Sequence, residues 1–357
     1  MQLYMLDKVR RGDVGDIEFL KHAFAKLLVN FTWWVNRKDR TGANVFEGGF
    51  LGLDNIGVFD RSAPLPTGGY LDQADGTAWM VFFSQQMLSI AVELALHEPL
   101  YEEFVEMFFQ HTLYIAGAMD RIGDRHDEMW DEEDGFFYDV LRLDDGSSTR
   151  LKVRSIVGLL PLAGAAVFEE DILEKLPHFR ARAQQFGQRH PELIAHMHLP
   201  QTPGVAGRRM LAIVDERKLR RIPARMLGEA EFFSPYGIRA LSRLHLEHPY
   251  VFHHAGQEHR VAYVPGDSDT GMFGGNSNWR GPVWMPINYL LYISLLRLYA
   301  YYGEDFKVEC PTGSGTMMTL LEVAKELGER LTRIFLRDDA GARPAQGAAL
   351  KFEDDPH

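Results

Sequence analysis

The sequence predicts an all-α protein in which an inner layer of helices is wrapped by an outer layer. Most long segments carry apolar residues at helical spacing, and no strand-like alternation of note is present. Segments that are apolar on every side alternate with segments that are apolar on one face only, which suits two concentric layers. Because no strong linker divides the chain, residues 1–357 are predicted to form a single domain.

Three helices are predicted in the first third of the chain. Residues 16–30 place Leu20, Phe24 and Leu27 on one stripe behind Asp16, which can cap the helix. Residues 77–96 begin with an apolar run, and Pro99 separates them from a third helix at 101–119. A loop rich in acidic and aromatic residues follows at 130–139.

The remaining helices are predicted from the same spacing. Residues 154–168 read as a buried helix, 171–189 as a surface helix, and 191–225 as an irregular, locally basic region. Further helices are expected at 236–246, at 286–302, which is apolar on every side, and at 316–336, which is amphipathic. The residues with functional character then fall in the loops, and loops that meet at one end of a helical ring would form a site.

Composition restricts the partners that we expect. Lys and Arg number 38 against 50 Asp and Glu, and the net charge of −12 argues against a nucleic-acid partner. Cys310 is the only cysteine, so no internal disulfide can form. Residues 1–13 contain no long apolar run, and no membrane-spanning stretch free of charge is evident. We therefore expect a cytoplasmic location and no membrane partner.

Asp54 is the first candidate for chemistry. It lies in a glycine-rich, apolar stretch, residues 46–60, with no Lys or Arg within six positions on either side. Burial without a cationic partner raises the pKa of a carboxyl, as a proton donor near neutral pH requires. By local chemistry alone, a helix-capping Asp in a glycine-rich loop is an equally good interpretation.

Residues 274–284 form the second candidate. They contain Trp279, Arg280 and Trp284 together with two Asn and three Gly, immediately before the most apolar helix. So many polar groups near a core need partners, which the hydroxyls of a saccharide would provide, while Trp rings stack on the apolar faces of sugars. This pattern favours a saccharide site.

Other motifs give weaker signals. Residues 311–316 resemble a phosphate-binding loop but lack its Gly-Lys-Ser/Thr ending, and the acidic loop that begins at Asp131 does not match calcium-ligand spacing. The histidine pairs lack the spacing of zinc hydrolases, and no serine or cysteine nucleophile motif is present. We therefore predict no metal and no cofactor.

Taken together, four stretches resemble the bacterial branch of glycoside hydrolase family 63, which includes processing α-glucosidase I and mannosylglycerate hydrolase. These are residues 46–62, 72–80, 130–140 and 273–284, and the resemblance extends from about residue 16 to the end of the chain. It implies an (α/α)6 toroid of helical hairpins and inverting hydrolysis of a terminal α-glycosidic bond. In the pattern Leu51-Gly52-Leu53-Asp54-Asn55 it implies that Asp54 is the general acid.

The same resemblance implies a saccharide-binding wall and reveals a departure from the family. Trp279, Arg280 and Trp284 would line the pocket, with Trp34 and Asp75 as further wall residues. The family base is a Glu downstream of an Asp-Pro-His-Trp stretch, whereas this chain ends at Asp355-Pro356-His357, and Glu353 is a poor substitute.

We therefore expect a partial catalytic domain with an incomplete toroid, which lacks helices of the family domain at both ends. It would be inactive or impaired unless it associates with the missing part of the toroid. The alternative is a non-catalytic carbohydrate-binding or scaffold protein. An epimerase is a weaker reading, since epimerases use paired His residues and neither main site loop contains one.

Overall fold

The structure is a computed structural model. It describes residues 1–12, 14–36, 44–46, 53, 56–61, 63–120, 129–194, 197, 202–264, 282–339 and 341–347, with the backbone alone at 2, 120 and 194.

Helices make up most of the described regular structure. Their bounds, in chain order, are α1 Gln2–Arg11, α2 Ile17–Val35, α3 Ala74–Ala95, α4 Glu102–Asp120, α5 Ile172–Lys175, α6 Pro177–Arg189, α7 Pro191–Ile194, α8 Glu216–Met226, α9 Leu244–Glu247, α10 Met285–Tyr302 and α11 Leu320–Arg333.

Within the described ranges, thirteen short strands accompany these helices. They are β1 Tyr70–Asp72, β2 Trp130–Asp131, β3 Phe136–Phe137, β4 Asp139–Arg142, β5 Ser148–Leu151, β6 Ala165–Phe168, β7 Arg209–Ala212, β8 Phe233–Ser234, β9 Gly237–Ile238, β10 Tyr250–His254, β11 Gln257–Val261, β12 Lys307–Glu309 and β13 Met317–Thr319. One sheet has the order β1-β4-β5, and the other pairs are β2-β3, β6-β7, β8-β9, β10-β11 and β12-β13.

The prediction of an all-α fold, an incomplete (α/α)6 toroid, was wrong. The structure is mixed, with 52% helix and 15% strand, and the described part of the chain contains six small antiparallel sheets. The longest strands have five residues and several have two. Segments this short contain too few residues to show the alternation by which a strand is recognised.

Two predicted helices account for much of this error. Residues 154–168 form two short 3-10 turns, Ile156–Gly158 and Leu160–Ala163, followed by β6. Residues 236–246 contain β9 and the start of the four-residue α9. Residues 155–166 are buried throughout, and an apolar run that is buried on all sides does not reveal by its period whether it is helix or strand.

The long helices α2, α3, α4, α10 and α11 were predicted, although their ends differ: α2 extends to Val35, and residues 317–319 of the helix predicted at 316–336 form β13. In α2 the carboxylate of Asp16 accepts the Phe19 N–H at 2.9 Å, as the capping prediction required. At the start of α11, Thr319 and Glu322 cap each other reciprocally in a capping box. The helix α1, by contrast, was not predicted.

Aromatic contacts fix the relative directions of the first long helices. Phe24 of α2 packs edge-on against Tyr101 and Phe104, at the start of α4, whereas Phe31 packs against Phe108 and His111, further along α4. The helices α2 and α4 therefore run parallel. A short connection joins α3 to α4, so α3 runs antiparallel to both and begins where α2 ends.

The core consists of a large cluster around the helices and a smaller one beside the three-stranded sheet. The smaller cluster includes Val58, Phe59, Leu71, Leu151 and Val153. Among the described residues, α3 is long and apolar enough by length and composition to cross a membrane, and 72% of its apolar window is buried inside the protein.

Candidate functional site

A buried cluster of charges lies at the first turn of α3. The guanidinium of Arg61 donates to Asp75 Oδ2 at 2.6 Å and to Asp139 Oδ2 at 2.9 Å. The side chains of Arg61 and Asp75 are 1% and 0% exposed. The second oxygen of Asp75 accepts the Gly76 N–H, and that of Asp139 accepts the Ala74 N–H, both at 2.8 Å. Both carboxylates thus bind free N–H groups at the positive end of the helix.

The charges in this cluster do not cancel. One cation faces two carboxyls, and burial raises the pKa of Asp139 above its usual range, with the nearby charge of Asp75 acting in the same direction. Burial alone would lower the pKa of Arg61, but the two carboxylates hold it above its ordinary value. The side chain of Arg61 therefore stays charged, while Asp139 takes up a proton more readily than a free carboxyl.

A small cavity adjoins the cluster. It has a volume of about 20 Å³, and its lining includes Arg61, Asp139 and Ser155 beside apolar residues of the smaller core cluster. A cavity of this size holds about one water molecule. The buried Nε of Arg61 has no hydrogen-bond partner among the described residues. The site therefore offers a polar donor beside a space that fits one water.

The segment that contains Asp54 is anchored to the same helical turn at both ends. The N–H of Phe46 donates to Thr77 Oγ1 at 3.2 Å, and Arg61 binds Asp75 at 2.6 Å. Asp54 itself lies outside the described residues. Of its neighbours in sequence, Leu53 is 0% and Ile56 is 1% exposed. Leu53 and Ile56, the nearest described residues on the two sides of Asp54, are therefore buried in the core.

Trp284 immediately precedes α10, and hydrogen bonds connect its surroundings to this cluster. The Ala240 N–H donates to the Pro282 carbonyl at 2.8 Å, and the Ile156 N–H donates to the Ala240 carbonyl at 2.9 Å. The residue before Ile156, Ser155, lines the cavity beside Arg61. The start of α10 and the start of α3 therefore lie at the same end of the protein.

A second contact indicates that α3 and α10 run in the same direction. Arg297 donates to Gln86 Oε1 at 3.4 Å, and each of these residues is the thirteenth of its helix. Since α3 and α10 begin at the same end of the protein and contact each other at the same position along their lengths, they run parallel. The backbone of Trp284 is fixed by Asn288, whose N–H and Nδ2 both donate to the Trp284 carbonyl.

Trp34 lies at the C-terminal end of α2, the third helix terminus at this end of the protein. It is half-buried, belongs to the last turn of α2, and its ring centroid lies 4.6 Å from that of Trp33. Because α2 ends where α3 begins, the structure brings Trp34, Asp75 and Trp284 to one end of the protein. Trp279 and Arg280, predicted beside them, lie outside the described residues, as does Glu353.

Residues 130–139, which were predicted as a loop, form β2, β3 and the start of β4, and they join this end through a second set of ion pairs. Arg154 donates to Asp134 Oδ1 at 2.7 Å and to Glu231 Oε2 at 3.2 Å, and its Nε donates to the hydroxyl of Tyr138 at 3.2 Å. Lys152 binds Asp134 at 3.0 Å. Burial raises the pKa of Tyr138, and the charge of Asp134 acts in the same direction. These contacts hold β3 and β4 in place beside the Arg61 cluster.

Arg61 and Asp139 were not predicted as site residues. Asp75 was predicted as a wall residue that is open to ligand, whereas the structure gives it a buried ion pair. One signal was available: an Asp in the first turn of a helix as apolar as α3 needs a cation, and Arg61 is the only cation in the preceding segment 44–61. Among the described residues, no group of three or more His, Cys, Asp or Glu side chains could hold a metal ion.

Comparison with known proteins gives a similarity to an uncharacterized protein and no function. No family model matches the chain. The chain is similar to the "Uncharacterized protein YMR196W" of Saccharomyces cerevisiae, with 48% identity over 358 aligned positions, which cover 96% of this chain and 32% of the yeast protein. The chain therefore spans about one third of the length of this relative, whose name assigns it no activity.

Proposed function

We propose that the end of the protein where α3 and α10 begin binds a saccharide, and that Asp54 is the general acid in inverting hydrolysis of a terminal α-glycosidic bond. The observation that carries the proposal is the double anchoring of the Asp54 segment on the first turn of α3, by Phe46 to Thr77 and by Arg61 to Asp75. A general acid has to be held within hydrogen-bond reach of the leaving oxygen, and fixed flanking chain supports such positioning.

The electrostatics of the anchor support an acid role. Arg61 is the nearest basic residue to Asp54 in the sequence, and its charge is committed to Asp75 and Asp139. The residues that flank the Asp54–Asn55 pair in the chain, Leu53 and Ile56, are apolar and buried. A carboxyl in apolar surroundings without a cationic partner keeps its proton to higher pH. Asp54 would therefore be protonated when the leaving oxygen needs a proton.

Aromatic residues at the same end support the substrate class. Trp34 and Trp284 are both half-buried there, and the sequence adds Trp279 and Arg280 just before Trp284. Indole faces stack on the apolar faces of sugar rings, and a guanidinium donates to hydroxyl oxygens. A terminal α-glucoside or α-mannoside carries both kinds of surface. In inversion, a second carboxylate roughly 6.5–9.5 Å from the acid activates the water. No residue of this sequence is assigned to that role, so we expect turnover by this chain to be impaired, and the rates compared below start from that low value.

The acid role predicts a dependence on the leaving group. Hydrolysis of α-linked disaccharides needs protonation of a poor leaving group, so Asp54→Asn is expected to lower kcat by about 10²–10⁴-fold. Hydrolysis of 4-nitrophenyl α-glucoside, which has a good leaving group, should fall much less. The control is Asp305→Asn, an exposed carboxylate beyond the far end of α10. Equal losses on both substrates, or a first product of retained α configuration by NMR, would refute the assignment.

One observation favours non-catalytic saccharide binding as a second candidate function. Six carboxylates described at this end are in ion pairs, so none of the six is free to activate water: Asp72, Asp75, Asp131, Asp134, Asp139 and Glu231. This function predicts calorimetric binding of an oligosaccharide without turnover, unchanged by Asp54→Asn and lost in Trp279→Ala. If neither binding nor turnover occurs across a panel of α-glucosides and mannosylglycerate, both functions are excluded.

A further inference from the structure

A long apolar groove lies between α2 and α10. It has a volume of about 350 Å³, with α3 at its floor and the start of α1 at its edge. The rows that line it have a common spacing of i, i+4 and i+8. On α10 the row is Tyr289, Ile293 and Arg297, and on α2 it begins at Phe19 and ends at Leu27. Each row extends about 12 Å along its helix, which is slightly more than two helical turns.

The apolar side chains around this groove are unusually exposed. Leu3 is 71% exposed, Tyr289 is 51% and Phe19 is 46%. On α1 the exposed surface continues beyond the groove through Leu6 and Val9, three residues apart on one side of the helix. A contiguous apolar surface of this kind on a soluble protein marks an interaction site.

Among the described residues, two cations border this groove, the guanidinium of Arg297 and the amino group of Met1. The guanidinium of Arg297 is half-buried, donates to Gln86 Oε1 at 3.4 Å and lies 5.9 Å from the ring centroid of Phe82. Within the part of the chain that the structure describes, no carboxylate forms an ion pair with it. Burial lowers the pKa of Arg297 from its usual value. A desolvated cation without an opposite charge is costly, and a carboxylate supplied to the groove would offset that cost.

We propose that this groove docks an amphipathic helix of a partner protein, whose apolar residues fill the space between α2 and α10 and whose carboxylate pairs with Arg297. Amphipathic helices bind grooves through apolar anchors at i, i+3, i+4 and i+7, which extend about two helical turns, and the rows at i, i+4 and i+8 on α2 and α10 border a groove of similar length. The ion pair would also fix the register of the partner helix in the groove, because the guanidinium of Arg297 lies at one end of the α10 row.

Two other occupants fit these features less well. A small amphiphilic carboxylate would pair with Arg297 but leave the exposed stripe of α1 uncovered. In a second copy of this chain, α1 is an amphipathic helix, but its one carboxylate, Asp7, is already bound to Arg11 at 2.7 Å. A partner helix with a free acidic residue satisfies both the apolar surface and the charge.

The proposal is tested by selection from a displayed library of amphipathic 14-residue helices in which a single Glu is scanned through the apolar face. The target is the full chain, and the selected peptides are remade with Gln in place of Glu and measured by fluorescence anisotropy. We expect Arg297→Gln to weaken the binding of the Glu peptides about tenfold to a hundredfold and to leave the binding of the Gln peptides nearly unchanged. Arg297→Lys should retain part of the preference for Glu over Gln peptides. Arg333→Gln on the exposed face of α11 is the matched control.

Each outcome decides the matter. Enriched peptides that share a Glu, lose affinity with Arg297→Gln and tolerate Arg333→Gln support the proposal. Absence of enrichment, or equal binding of Glu and Gln peptides, overturns it. Self-association at micromolar concentration that Ile293→Glu abolishes, without peptide binding, assigns the groove to a second copy and also overturns it. If dodecanoate binds in a way that depends on Arg297 and no peptide is enriched, the groove is assigned to a small carboxylate, and the proposal is overturned. Circular dichroism and thermal unfolding verify that every variant is folded.

Discussion

Replacing Arg61 with Met tests the buried charge cluster most directly. The substitution keeps a long, unbranched side chain but removes the cation that binds Asp75 at 2.6 Å and Asp139 at 2.9 Å. Because all three side chains are at least nine-tenths buried, solvent screens the interaction little. Breaking a buried pair by removing one partner costs about 3–5 kcal/mol, since the remaining charge is left without compensation.

Protonation limits this cost and makes it depend on pH. A carboxyl of ordinary pKa is neutralised at a cost of about 4 kcal/mol at pH 7 but only about 1.5 kcal/mol at pH 5, at 1.36 kcal/mol per pKa unit. In Arg61→Met the folded-state pKa of Asp139, which burial already raises, would lie further above its unfolded value because the cation that lowers it is gone. The folded state then binds more protons, so its stability falls as the pH rises through that interval.

We expect Arg61→Met to lower the free energy of unfolding by about 3–5 kcal/mol at pH 7.5 and by about 2 kcal/mol less than that at pH 5. Urea unfolding followed by circular dichroism at the two pH values measures both quantities. Adding Asp139→Asn to Arg61→Met should recover part of the loss at pH 7.5, because one of the two stranded charges is then gone. A loss below about 1 kcal/mol, or one that is the same at both pH values, would refute this account of the cluster.

Three further outcomes follow from the structure. Because the pKa of Asp139 is raised in the folded state, its contribution to stability is fully present below its unfolded pKa and is lost as the pH rises through its folded pKa. Asp139→Asn should therefore reduce the pH dependence of the unfolding free energy between pH 4 and pH 7, as measured by urea titrations. Gly158→Ala should cost about 3 kcal/mol or more, because a Cβ there would lie 2.2 Å from the Phe136 ring, whereas Gly57→Ala, with nothing within 4 Å, should cost less than about 1 kcal/mol; equal thermal shifts would contradict this. Thr319→Ala removes the capping box of α11 and should cost about 1 kcal/mol in the same assay, with Thr319→Ser near wild type.

The long helices were predictable from local pattern alone. The apolar stripe of α2, the continuous apolar run of α3 and the amphipathic face of α11 each contain enough residues to distinguish a helical period. Pairs such as β6 with β7 are different: Ala165 lies opposite Ala212, far away in the sequence, and the strands have four residues each. The pairing depends on tertiary contacts that no local period records, which explains why residues 154–168 were predicted as one helix.

In the candidate site, too, some features were predictable from the sequence and others were not. Trp284 belongs to a segment, residues 274–284, that was predicted as a site from its composition, whereas Asp75 was named through the family resemblance alone; the structure places both at one end of the protein. The link between Asp75 and Asp139 passes through Arg61, and only burial of the whole segment reveals that a single guanidinium serves two carboxylates. Sequence spacing does not determine which cation compensates which acid when the partners belong to different elements.

The anchoring of the Asp54 segment also has an entropic consequence. The chain that leaves α3's first turn at Phe46 returns to it at Arg61, so the cost of closing this loop of about fifteen residues is met once, when the protein folds. A ligand that contacts the loop then binds without meeting that cost again. Thr77→Val removes the hydrogen bond that holds the Phe46 end, so part of the entropic cost of closing the loop would then be met on ligand binding. The affinity for the ligand would fall although no contact with the ligand had been removed.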